Sequence, residues 1–123
     1  MAPRTRRGVS VLHILSQYGE RAAEAAREAL QENAEALINE ARSRVPVRTG
    51  RLKESIHAEP YSNGNKIRVV ADAEDEHGTP YAAIVEYSPK INKPFLFPSF
   101  YALRTEMINR VKEKVRAELR GNV

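Results

Sequence analysis

The chain has 123 residues, 41% apolar and 29% charged, with a formal net charge of +4 and no cysteine. That length fits one domain with a core that needs no staples. The lack of cysteine excludes disulfides and thiolate metal sites, and no apolar run approaches the roughly 20 residues of a membrane helix. The positive excess attracts polyanions without sequence preference, yet acids and bases alternate along most of the chain, as on a solvated mixed surface.

Residues 1–8 carry Arg4, Arg6 and Arg7 beside Pro3 without apolar periodicity. They are expected to form a flexible basic arm, either a free tail or a segment that orders against an acidic protein neighbour or DNA. No apolar stretch follows these arginines, so no signal peptide is expected. Residues 9–123 are expected to form a single α+β domain.

From Val9 to about Arg44 the pattern is helical. Ala26, Leu30, Ala34, Leu37, Ile38, Ala41 and Val45 recur at three- and four-residue steps, which marks one buried face. Gly19 interrupts the run, so a short helix to Tyr18 followed by a long one from Glu20 is an alternative. His13 lies among Val11, Leu12, Ile14 and Leu15 with no second ligand at helical spacing, and is read as packing or a partner contact rather than a metal ligand.

Pro46 ends the long helix. Thr49-Gly50 forms a turn in which Gly50 is expected to adopt a conformation closed to other residues, and Thr49 is expected to cap a helical turn through Leu52 and Lys53. Ile56 and Ala58 then alternate with His57 and Glu59 as a strand does. Asn63-Gly64 is a hairpin signal, and Lys66 to Asp72 reads as the second strand. Asp72, Glu74 and Glu76 alternate like calcium ligands, but Gly78 is out of register for such a loop, and a solvated turn is expected.

Tyr81 to Tyr87 reads as a strand or as a short helical turn leading into one. Pro94 and Pro98 are expected to hold Phe95-Leu96-Phe97 extended, and Ser99 to cap the last helix. Phe100, Leu103, Met107, Ile108, Val111, Val115 and Leu119 form its apolar stripe. Arg104, Glu106, Arg110, Glu113, Lys114, Arg116 and Glu118 are expected to face water. Phe95, Leu96, Phe97 and Phe100 are expected to anchor this helix to the sheet. The elements predict an α+β fold: a long N-terminal helix and a C-terminal helix packed on a small, mainly antiparallel β-sheet. No phosphate loop, triad or shared histidine spacing points to catalysis.

Two motifs together carry a resemblance. The first is Pro46-Val47-Arg48-Thr49-Gly50-Arg51-Leu52-Lys53-Glu54-Ser55-Ile56. The second is Tyr81-Ala82 with Val85-Glu86-Tyr87, then Lys93-Pro94-Phe95-Leu96 and Pro98, before a closing helix. In this order and separation they resemble the small neck or tail-completion proteins of long-tailed bacteriophages, over about Glu20 to Leu119. Ser88 stands where that family usually has glycine, and the loop after it is short.

The resemblance implies a virion structural protein, made in the host cytoplasm, with no enzymatic activity and no cofactor. It would join the head connector to the tail as a ring around the DNA channel. The implied partners are copies of itself, in a hexameric ring whose sixfold symmetry matches the tail; a head connector or head-completion protein; a tail terminator or tail tube protein; and DNA passing through the lumen without sequence specificity. Open sheet edges and ring closure by heterologous contacts fit such a subunit. Two other readings stay open: a tail-terminator ring capping the tail tube, and a small basic nucleic-acid-binding module.

Overall fold

The structure, a computed structural model, describes residues 11–45, 50–74, 77–78, 81–87 and 94–121. Arg4, Arg6, Arg7, Pro46, Arg48, Thr49, Glu76, Ser88 and Lys93 lie outside the described residues.

The α+β fold is as expected. Helix α1, Val11–Tyr18, is followed after Gly19 by α2, Glu20–Arg44. The interruption at Gly19 therefore resolves in favour of two helices. Helix α2 stops where Val45 turns extended, at φ −70° and ψ 134°, as the residue before a proline prefers.

Helix α3, Arg51–Ser55, leads into β1, Ile56–Tyr61, which pairs antiparallel with β2, Lys66–Ala71. Ser62, Asn63 and Gly64 all take positive φ in the connecting turn, the conformation that the Asn-Gly pair tolerates. Pro60 sits within β1 opposite Ile67, where a two-stranded sheet asks for no donor on its free edge. The Ile56–Ala71 pair and Val69 face the core, while His57, Glu59 and Arg68 take the other face by the two-residue alternation of a strand.

Helix α4, Tyr81–Tyr87, occupies the run left open between strand and helical turn, and α5, Leu96–Gly121, closes the chain. Helix α5 runs antiparallel against α2. Asn33 meets Met107 and Arg110, Glu32 meets Lys114, and Arg21 meets Glu118, so numbers fall along one helix as they rise along the other.

Two apolar clusters flank this helix pair. The first joins Val11 and Ile14 to Ala22, Ala23, Ala26 and Ala29 and to Val111 and Val115. Small side chains on α2 let the helices approach closely. The second joins Ala41 and Val45 at the end of α2 to Leu52, Ile56, Ala73, Ala82, Val85 and Phe95. Asn33, buried between them, donates to the Met107 carbonyl at 3.0 Å and accepts from Arg110.

The start of α5 differs from expectation. Phe95-Leu96-Phe97 is not an extended segment, because α5 already begins at Leu96. Pro98 falls in its first turn, where a proline costs no intrahelical bond. Ser99 is not the cap but lies inside that turn, fully buried, its hydroxyl donating to the Phe95 carbonyl. The anchor of four side chains shrinks accordingly. Phe95 is fully buried and Leu96 half-buried, but Phe97 and Phe100 are 47% and 43% exposed. Arg104, Arg110, Lys114 and Glu118, expected to face water, are half-buried, and the last three pair with Glu32 and Arg21 of α2.

Candidate functional site

The two sequence motifs meet in space. Leu52 and Ile56 of the first pack in one cluster with Ala82, Val85 and Phe95 of the second, and Leu96 packs against that cluster. The first motif is shaped by Gly50, which caps α3 at φ +75° and accepts the Glu54 N–H at 2.9 Å. A Cβ there would meet only Glu54 Oε1, at 4.0 Å, so backbone conformation rather than space requires the glycine. The Ser55 hydroxyl closes the turn on the Leu52 carbonyl at 2.8 Å. Arg42, at the end of α2, straps the segment by donating to the carbonyls of Lys53 at 3.3 Å and Ile56 at 3.2 Å.

Glu86 links α4 to α5. Its Oε1 accepts the N–H groups of Phe95 and Leu96, both at 2.9 Å, and its Oε2 accepts that of Phe97 at 3.1 Å. A helix leaves four N–H groups without an intrahelical partner. In α5 these belong to positions 95 to 98. Glu86 takes three, and the fourth residue, Pro98, has none to offer. The carboxylate also sits at the positive end of the helix dipole.

Beside this capped end the surface is aromatic. Tyr87 is 68% exposed and Tyr101 64%, and with Phe97 and Phe100 they form a patch. The Tyr87 and Phe97 rings lie 6.1 Å apart and those of Phe100 and Tyr101 5.8 Å apart. Steps of three and four residues put Phe97, Phe100 and Tyr101 on neighbouring positions of α5, with Arg104 one turn further on. On another surface, an open groove runs between α2 and β1, lined by Glu35, Ile38, Asn39, Arg42, Ile56, His57 and Ala58.

Charge is organised on the hairpin and on α2. The His57 ring donates from Nδ1 to the Ser55 carbonyl at 2.7 Å, while Nε2 lies 3.1 Å from the Glu59 carboxylate and 3.9 Å from that of Asp72. The Ser55 bond, then the Glu59 contact, raises the His57 pKa above its ordinary 6.5. The Arg68 guanidinium, 2.8 Å away, and then His57 lower the Glu59 pKa. Arg27 donates to Asn65 in the hairpin turn at 2.9 Å, to Glu20 at 2.7 Å and to Glu24 at 3.0 Å, so it ties α2 to the hairpin.

Of the residues singled out from sequence, Gly50, Leu52, Ser55, Val85, Glu86, Phe95, Leu96 and Pro98 come together here. Tyr87 lies on the rim, and Pro94, exposed, precedes the cap. Tyr81 opens α4. Arg42, Arg27 and Asn33 were missed, because nothing in a helical pattern tells a bridging polar residue from a solvated one. Among the described residues no group of three or more His, Asp or Glu side chains is placed to hold a metal ion, and no helix is long and apolar enough to cross a membrane. The arrangement offers contact surfaces.

A family model described as "HK97-gp10_like: Bacteriophage HK97-gp10, putative tail-component" matches residues 12–87, more than half of the chain, from the second residue of α1 to the end of α4. No curated protein and no solved structure matches the chain.

Proposed function

The chain belongs to the HK97-gp10-like family of bacteriophage tail components, a virion structural protein, and from that premise we propose that it works at the head–tail junction. In this reading it is a neck or tail-completion subunit. Copies close into a ring, with sixfold symmetry to match the tail, around the channel through which DNA passes. One side meets the head connector or head-completion protein and the other the tail terminator or tail tube. The basic arm with Arg4, Arg6 and Arg7 orders in the assembly against an acidic protein neighbour. No catalytic step and no cofactor is assigned to it.

The observation that carries the reading is the convergence of the two motifs on one core, capped by Glu86 and rimmed by exposed aromatic rings. Aromatic residues exposed together mark protein contacts more than they mark chemistry. A role as a tail component also accommodates the tail-terminator reading, in which the ring caps the tube. A reconstruction of the virion tests both. The neck reading expects density for this fold between connector and tail. Finding the chain only at the end of the tube favours the terminator, and finding it in the shell, at the tail tip or nowhere in the particle overturns both.

A further inference from the structure

We infer that the outer edge of β2 pairs with the same edge of a second copy of this chain, joining two hairpins into one antiparallel sheet about a twofold axis. The pair belongs to the subunit before it enters a particle and does not depend on the neck reading.

The backbone decides which edge is open. In an antiparallel pair, residues alternate between exchanging hydrogen bonds and turning their N–H and C=O outward. Pro60 has no N–H to exchange, so the Pro60–Ile67 pair is of the outward kind. By alternation so are Ala58–Val69 and Ile56–Ala71. On the β1 side these groups are largely taken. The Ile56 N–H goes to the Lys53 carbonyl, the Ile56 carbonyl accepts from Arg42, and Pro60 offers no donor. On the β2 side Ile67, Val69 and Ala71 present both groups, and among the described residues no strand and no backbone partner meets them there. An uncovered row of this kind is a template for another strand.

The side chains select the occupant and its register. Strand β2 opens basic, with Lys66 and Arg68, and runs on into Asp72. A parallel neighbour copy sets the basic ends side by side, which is unfavourable. An antiparallel copy centred on Val69 sets Val69 against itself, Ile67 against Ala71 and Lys66 against Asp72. Every outward backbone group then meets a partner, and opposite charges face each other. Lys66 is exposed, and the Asp72 side chain is 61% exposed, its nearest cation being His57 at 3.9 Å. Centring on Arg68 instead sets that arginine against its own copy. Centring on Val70 sets Ile67 against Ala73, whose carbonyl already accepts the Ala82 N–H at 3.3 Å. With the β1 edge largely taken, pairing stops at two copies, as an isologous contact does.

The purified chain tests this. Light scattering against concentration is expected to rise from monomer to dimer mass and stop there. Monomer at every soluble concentration, or growth past the dimer, overturns the pairing. The amides of Ile67, Val69 and Ala71 are expected to exchange with deuterium about tenfold or more slowly in the dimer than in the dilute monomer. Equal rates overturn the contact, whether the edge stays open in both or is covered by the chain itself. The chain has no cysteine, so Lys66→Cys with Asp72→Cys is expected to oxidise to a covalent dimer, and either variant alone to stay monomeric. A covalent dimer from a single variant, or none from the double one, overturns the register. Val69→Pro removes a donor that the hairpin itself does not use, and raises the concentration needed for dimerisation about tenfold or more. Unchanged dimerisation overturns the pairing. The exchange comparison uses wild type and decides the matter even where the proline variant fails to fold.

Discussion

Glu86 holds Phe95 across a gap in the sequence: its Oε1 lies 2.9 Å from the Phe95 amide nitrogen, nine residues on. The same carboxylate accepts the next two N–H groups. Glu86→Ala leaves three donors of α5 without their acceptor and is expected to cost about 2 kcal/mol, the upper range for loss of a helix cap. Glu86→Gln keeps an acceptor oxygen and costs less. Denaturant titration reads both, and an alanine variant within about 0.5 kcal/mol of wild type would remove the cap from the account.

Phe95 and Phe100 stand for the two halves of the aromatic run. Phe95→Ala empties a fully buried site and is expected to cost about 3–5 kcal/mol. Phe100→Ser, at an exposed site, stays within about 0.5 kcal/mol in the isolated chain. Equal losses in thermal melts of the two variants would contradict this division.

Asn33 couples the two long helices through Met107 and Arg110. Asn33→Ala should destabilise by about 1–2 kcal/mol, with part of that loss absent when Arg110 is already Met. Additive losses across this double-mutant cycle would show that the bridge carries no coupling.

On the outer face of the hairpin, pH acts twice. His57 has a folded pKa raised above 6.5, so its contribution is complete below pH 6.5 and is lost as pH rises through the folded value. Glu59 has a folded pKa lowered from 4.5, so its contribution is complete above pH 4.5 and is lost as pH falls through the folded value. Wild type should therefore gain most over His57→Gln between these limits. A two-dimensional NMR titration showing His57 at or below 6.5 would contradict the proposed contacts.

Much of this architecture is legible in the residues. The alanines and leucines of α2, the stripe of α5, the Asn63-Gly64 turn and the need for glycine at position 50 all follow from local periodicity or backbone sterics. Tyr81 to Tyr87 is ambiguous in the sequence because a short apolar run fits a buried strand and a buried helix equally. Locally, Pro94 and Pro98 look like brackets and Ser99 like a cap, which puts the start of α5 later than Leu96, where it lies. A proline three residues into a helix gives no local sign of its role unless the remote acceptor is known, and that acceptor is Glu86. The site was legible as motifs but not as geometry: spacing cannot show that Leu52 and Phe95 share a cluster, or that Arg42 straps α3.

The polar bridge at Asn33 has a kinetic consequence. It divides α2 between two apolar clusters that share no side chain, so the helix belongs to two neighbourhoods that can open one at a time. Amide protons around Ala26 should exchange with solvent deuterium in step with those around Val111 and Val115, and amides around Ala41 in step with those of Ile56 and Val85. One helix would then show two protection levels along its length, with the break near Asn33.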